Sequence, residues 1–403
     1  MNFKKVFYTI VLFSTLVFGL AHNSELPSKN GDAQTEITSK AIRPTMEYRV
    51  HRAGLLWLNT SNTGWFGDPW IYLDDPCTGK PVVMGEMPGG SGVNFIWVGA
   101  LWCGGYLDSV EVDVDGTKAT VFRGPLVSTS YEGWKGNPMP REMWPVKFDE
   151  DESGSTLGHI RETSNVEGRI NCLFEDIYDP SATAEEQFNV MYTDKYVERN
   201  PYTGQDDYDL RDHIPLGLEI RQKSYAWSYE YAQKFVIIDY TLYNRNENGK
   251  DIYDFFMGMY VDSDIGMLGG DWDWRHADDL CGFIQKWDNY IDPATGEQKT
   301  VDLNFAWSAD NDGRNYTGDY YNPNEPGATS PLDGATGVAT LRVLRNPNPS
   351  LRYSFNIFVY DSDNESLDWG PHWKTGMHSE WLYDLTPFQK GYDDTNYDGL
   401  VND

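Results

Sequence analysis

Residues 394–403, Asp394-Thr395-Asn396-Tyr397-Asp398-Gly399-Leu400-Val401-Asn402-Asp403, put oxygen-bearing side chains at positions 1, 3, 5 and 9 of a loop and glycine at position 6. That is the spacing of an EF-hand calcium loop, with Leu400 at position 7 offering its carbonyl. The bidentate acid expected at position 12 would lie past Asp403. The expectation is therefore a piece of a longer product, cut inside a calcium loop, whose surviving ligands Asp394, Asn396 and Asp398 bind weakly. More acids crowd earlier loops: Asp262, Asp264, Asp271 and Asp273, with Asp278 and Asp279 close behind, and Asp310-Asn311-Asp312-Gly313. Hard oxygen ligands on loops suit calcium, which accepts six to eight of them in flexible geometry. Asp262, Asp264, Asp271, Asp273, Asp310 and Asp312 are accordingly nominated as structural calcium ligands, against the alternative of ordinary solvated loop acids.

Aromatic residues make up 15% of the chain, with 15 Trp and 26 Tyr, more than a core alone requires. Indole faces stack on sugar rings while neighbouring carboxylates and amides bond the hydroxyls. Trp272, Trp274, Trp369, Trp373 and Trp381, each near acidic residues, are the candidate platforms. Trp57, Trp97, Trp102 and Trp307 read instead as strand filling. No catalytic pattern emerges. H-E-x-x-H, a P-loop and G-x-S-x-G are missing, and Gly89-Gly90-Ser91-Gly92 fails the last because Val93 stands where glycine belongs. His372 and His378 share one stretch without a third metal ligand. A carboxylate pair for glycoside hydrolysis depends on a separation in space that sequence does not measure, so no catalytic residue is assigned.

With 62 Asp and Glu against 32 Lys and Arg, the formal charge is -30. Phosphate backbones are repelled, which excludes nucleic acid as a partner and makes divalent cations natural counterions. Lys4 and Lys5, the apolar run Val6 to Leu20, and small residues at Gly19 and Ala21 read as a secretory signal peptide over 1–21, cleaved before His22. The run is too short to span a bilayer comfortably, so no stable membrane span is expected after cleavage. Cys77, Cys103, Cys172 and Cys281 allow three pairings in an oxidising compartment; Cys77 with Cys103 is favoured because both segments read as neighbouring strands.

Residues 22–45 are polar and aperiodic, a flexible lead-in. From Met46 onward short alternating runs are cut by Gly, Pro, Asn and Asp, a β pattern. Val110–Val114 and Thr117–Phe122 flank Asp115-Gly116, the dipeptide of a type I′ hairpin. A second hairpin is expected between Phe235–Tyr243 and Ile252–Val261 around Asn248-Gly249. Asp75-Pro76-Cys77-Thr78-Gly79, Asn200-Pro201-Tyr202-Thr203-Gly204 and Asp292-Pro293-Ala294-Thr295-Gly296 repeat one turn chemistry. Thr183 to Met191, with a capping box from Thr183 to Glu186, is the best helix. Phe255–Val261 and Phe355–Tyr360 each run into Asp-Ser-Asp and suggest a duplication. These signals divide the chain into a β region over 46–150, an acidic insertion with the short helix over 151–190, a second β region over 191–390 and the calcium-loop linker over 391–403.

Two resemblances add to this. The Asp-rich run from Asp394 resembles the duplicated calcium loops of dockerin modules and the Asp-rich linkers of large secreted proteins. Gly54–Gly67, with Trp57 and Trp65, and Ile214–Trp227 leading into Phe235–Asn244 and Tyr260–Asp264 look like the N-terminal part of large uncharacterised surface proteins of Gram-negative bacteria, some exported by the type IX route. That likeness covers roughly residues 50–390 and implies location and a β-rich build; no catalytic residue comes with it. The combined expectation is an all-β, antiparallel β-sandwich, one large or two smaller, with few short helices. It would be secreted or held on a bacterial cell surface, as a non-catalytic structural or adhesive module stabilised by calcium. Extracellular glycans, other copies or other surface proteins are the partners. The alternatives are a carbohydrate-binding module or, further back, a polysaccharide-active hydrolase.

Overall fold

The computed structural model describes residues 6–12, 46–67, 74–114, 117–130, 142–146, 148, 158–195, 215–246, 251–267, 280–309, 337–348, 353 and 355. Every regular element among them is a strand. In chain order these are β1 Val6–Leu12, β2 Tyr48–His51, β3 Trp57–Ser61, β4 Trp65–Gly67, β5 Gly85–Glu86, β6 Val93–Asn94, β7 Val98–Val114, β8 Thr117–Thr129 and β9 Trp144–Pro145. They continue as β10 Arg161–Thr163, β11 Glu186–Thr193, β12 Leu218–Ala226, β13 Val236–Asn244, β14 Tyr253–Asp262, β15 Gly266–Met267, β16 Leu280–Ile291, β17 Gln298–Ala309 and β18 Val338–Arg345.

Two antiparallel sheets result. One runs β10-β11-β12-β13-β1-β18-β17-β16, with β9 on β11; the other runs β14-β7-β4-β3-β5-β6-β15, with β2 on β3 and β8 on β7. Strict alternation makes the first sheet one-sided. In β12, Leu218, Ile220, Gln222, Ser224 and Ala226 are buried while Arg221, Lys223 and Tyr225 are not. β13 repeats this with Val236, Ile238, Tyr240 and Leu242 inside. These residues meet Leu58, Phe66, Leu101 and Met259 of the second sheet in one core, so the two sheets form a sandwich. Each buried Leu, Ile or Phe side chain contributes about 1.5–3 kcal/mol.

The strands flanking Asp115-Gly116 pair in the expected hairpin register: Val114 with Thr117, Val112 with Ala119 and Val110 with Val121. Two of the three repeated turns close by one mechanism. Gly79 N–H bonds the Asp75 carbonyl at 2.8 Å and Gly296 N–H bonds that of Asp292 at 2.7 Å, both glycines at positive φ. The Asp side chain holds the turn from within, accepting from Cys77 N–H in one case and Ala294 N–H in the other.

Three expectations are corrected. Glu186–Thr193 is strand, not helix: Phe188, Val190 and Tyr192 pair across to β12, and Thr183 N–H bonds Gln187 Oε1, so tertiary pairing overrides the capping-box signal. β13 and β14 are not a hairpin. Both edges of β13 are taken, by β12 and β1, so the chain crosses to the other sheet and β14 pairs with β7. The disulfide joins Cys77 to Cys172, Cα atoms 5.2 Å apart, rather than to Cys103. Cys103 lies on β7, buried in the main core, where burial and then the charge of Asp194 push its thiol well up.

Candidate functional site: the outer face of the β10–β13 sheet

Two polar constellations lie on opposite faces of β12. On the inner face, His51 Nδ1 is 3.0 Å from Glu186 Oε2 and His51 Nε2 is 2.7 Å from Ser224 Oγ. His51 stacks on Phe188 at 4.0 Å. This is the order of contacts in a Ser-His-Glu hydrolase. Yet Ser224 is 1% exposed and His51 0%, so no carbonyl can reach the hydroxyl. Glu186 also accepts from the backbone N–H groups of Arg52 and Ala53, at 2.7 and 3.2 Å. Burial pushes its carboxyl up, but the His51 bond and charge and those two N–H groups outweigh it and hold Glu186 below the usual range. The cluster ties β2 of one sheet to β11 and β12 of the other. Asp194, fully buried, does the same near the opposite end of β11, accepting from Ser128 Oγ, Leu216 N–H and Leu218 N–H within 2.7 Å.

The outer face is open. A groove of about 630 Å³ runs over β12, β13 and the end of β18, lined by Arg221, Lys223, Tyr225, Asp239, Thr241, Tyr243, Arg345, Asn346 and Pro347. Three cations face one carboxylate there, on a protein whose total charge is -30. Arg345 reaches Asp239 at 3.7 Å, and Arg221 and Arg245 lie over the Tyr243 ring at 5.5 and 4.9 Å. Burial, then the Asp239 charge, push the Tyr225 hydroxyl up to about 12, with Arg345 opposing, so Tyr225 stays a neutral donor. A second hollow of about 230 Å³ adjoins across β10–β12, shares Arg221 and Lys223, and adds Arg161, Gln187 and Asn189. Arg161 rests on Phe148 at 4.2 Å.

Aromatic faces continue along the chain after β12. Tyr225 and Trp227 are near-parallel, centroids 6.2 Å apart and 17° between planes; Tyr229 and Tyr231 repeat this at 5.6 Å and 14°. Tyr231 is 82% exposed, so its ring is available to a ligand. The chemistry of the face is thus cations for carboxylates or sulfates, amides and hydroxyls for sugar hydroxyls, and flat rings for stacking.

Of the metal and glycan-stacking residues nominated from sequence, Asp262 and Asp264 are among the described residues. Asp262 ends β14 and Asp264 lies two residues beyond it, and Asp262 Oδ2 accepts from Tyr260 Oη at 3.3 Å. No group of three metal-ligating side chains occurs among the described residues, which include two of the four acids nominated here, Asp262 and Asp264. Asp271, Asp273, Asp310, Asp312, Asp394, Asn396, Asp398, Trp272, Trp274, Trp369, Trp373 and Trp381 lie outside the described residues. Trp102 fills the interior as expected, stacked on Tyr260 at 5.1 Å, and Trp57, Trp97 and Trp307 are half-buried. The outer face was missed. Its signal was the alternation Arg221, Lys223, Tyr225, which marks one face of one strand. Among the described residues no helix is long and apolar enough to cross a membrane. The chain matches no protein family, no curated protein and no solved structure.

Proposed function

We propose that this chain is an exported, non-catalytic β-sandwich of the bacterial cell surface that adheres to acidic glycans through the outer face of β12 and β13. The observation that carries the reading is the groove in which Arg221, Lys223 and Arg345 surround Tyr225 and Tyr243. On a chain of net charge -30, three cations gathered on one open face make a local patch that suits an anion. Planar guanidinium groups beside aromatic rings fit the carboxylates and ring faces of a uronate chain. The residues Lys4 to Ala21, read as an export signal, and the likeness to Gram-negative surface proteins support the location. Calcium on the acidic loops and on the dockerin-like run at Asp394 belongs to the same proposal, as reinforcement rather than as the ligand site.

The test is retention of the chain on immobilised polygalacturonate and alginate beside neutral cellulose and xylan, with calcium and then with chelator, while the supernatant is assayed for released sugar. Expected is retention on the acidic polymers, weakened by salt and lost in an Arg221→Ala, Lys223→Ala double variant, without sugar release. Equal retention of the double variant, or none on either acidic polymer, overturns it. Sugar release would revive the hydrolase.

A further inference from the structure

The connection from β10 to β11 folds into a finger over residues 164–179. Ile170 bridges Asp176 antiparallel; between them the Asn171 carbonyl accepts from Phe174 N–H at 3.0 Å and Asn171 N–H donates to the Glu175 carbonyl at 3.0 Å. Buried Asn171 also ties the tip together through its side chain. Its Oδ1 accepts from the N–H groups of Leu173 and Glu175, and its Nδ2 donates to the carboxylates of Glu162 and Glu175. Next to it, Cys172 is bonded to Cys77, in the turn that Asp75 closes. The tip is therefore pre-shaped.

At this tip Phe174 takes φ 65°, the left-handed place in a tight hairpin that glycine or asparagine fills without strain. The fold gains no packing in return: Phe174 is 91% exposed, with Ile170 and Leu173 exposed beside it. A strained backbone that holds a large ring in water points to a partner. Glu162, Glu167, Glu175 and Asp176 flank the ring in sequence, against Arg169 alone. The surface that suits such a tip carries both cations and aromatic faces.

The groove over β12, β13 and the end of β18 has that chemistry, with Arg221, Lys223 and Arg345 around Tyr225 and Tyr243. None of the described residues that line it belongs to the finger of the same chain, and the disulfide fastens that finger to the turn at Asp75. We propose that the finger of one copy docks in the outer groove of the next. The Phe174 ring meets Tyr225 and Tyr243, while the Glu175 and Asp176 carboxylates meet Arg221 and Arg345, whose planar guanidinium groups accept them in pairs of hydrogen bonds. Each copy carries one finger and one groove on different surfaces. The contact is thus head-to-tail, and it builds a row or ring of copies rather than a two-fold pair. It stands on the finger and on the charge of the groove, not on the glycan reading.

Two variants of the full chain separate the halves of the contact. Phe174→Asn keeps a residue that tolerates the left-handed turn and removes the ring; Arg221→Glu with Lys223→Glu reverses the groove. Copies of net charge -30 repel one another, so the measurement is made at about 0.15 M salt, where screening over about 8 Å leaves the local pairing. In sedimentation equilibrium to about 0.5 mM the parent chain should form species beyond the dimer, and each variant alone should associate at least about tenfold more weakly. Mixed together, the two variants should form a single 1:1 pair, intact finger in intact groove, and nothing larger. Thermal melting should show Phe174→Asn folded, with a Tm at or above that of the parent. If the double reversal does not fold, Arg345→Glu, on a side chain 60% exposed, takes its place as the groove variant. A parent chain that stays monomeric throughout, association that persists in Phe174→Asn, or a mixture that forms no pair overturns the proposal. So does a closed dimer that both variants retain.

Discussion

β12 carries two polar sets on alternate residues, and they have opposite consequences. Its inner face offers Ser224 to the buried His51–Glu186 cluster; its outer face offers Arg221, Lys223 and Tyr225 to solvent. The inner set has the geometry associated with catalysis and no access. The outer set has no triad and lies exposed or half-exposed along an open groove. Connectivity alone therefore does not mark a functional site; what an incoming molecule can touch does. In the His51–Glu186–Ser224 cluster the polar groups are matched donor to acceptor and link the two sheets, whereas the outer polar groups lie where a ligand can reach them.

The largest way to test the contrast is Glu186→Ala. It leaves His51 and the N–H groups of Arg52 and Ala53 without their acceptor and should cost about 3–5 kcal/mol in urea unfolding. Ser224→Ala should cost only about 1 kcal/mol, and a hydrolase reading would need it to abolish an activity. The pH dependence has a definite sign. Glu186 is held below its ordinary range in the fold, so its contribution is fully present above about pH 4.3, where the unfolded carboxyl is ionised, and is lost as pH falls through the folded value. Glu186→Gln should flatten the acid side of the stability profile. A Cys77→Ser, Cys172→Ser variant should lose about 2–5 kcal/mol and keep its retention on acidic glycans below its lowered melting point.

How much of this the sequence disclosed depends on range. The short alternating runs from Met46 onward and the Asp115-Gly116 dipeptide are local signals, and they disclosed the all-β build and one hairpin register. The turn chemistry of Asp75 and Asp292 was equally local. What failed was long-range. His51 and Glu186 are 135 residues apart, and His51 and Ser224 are 173 apart, so nothing nearby marks them as partners. The disulfide spans 95 residues, and proximity in sequence favoured the wrong partner for Cys77. Thr183–Met191 looked helical because a capping box is read over four residues, whereas the strand is imposed by eight ladder pairs with β12. For the site, acid-rich loops drew the eye by composition; the cationic stripe of Arg221 and Lys223 is sparse in sequence and concentrated only when β13 and β18 are laid beside it.

Substitutions on the outer face should have the smaller effects on stability and the larger ones on binding. Tyr225→Ala removes a ring that stacks near Trp227 and should weaken retention on an acidic glycan roughly tenfold, about 1.4 kcal/mol, with little change in fold. Arg345→Ala is the finest probe. Its side chain is 60% exposed and its pair with Asp239 spans 3.7 Å, so the stability change should stay within about 1 kcal/mol and shrink further in salt. Retention should fall more than stability, because the ligand loses one of the three cations that line the groove beside Asp239. If Arg345→Ala lowers stability and retention in equal proportion, the groove is only a surface of the sandwich, and the distinction between the two faces of β12 dissolves.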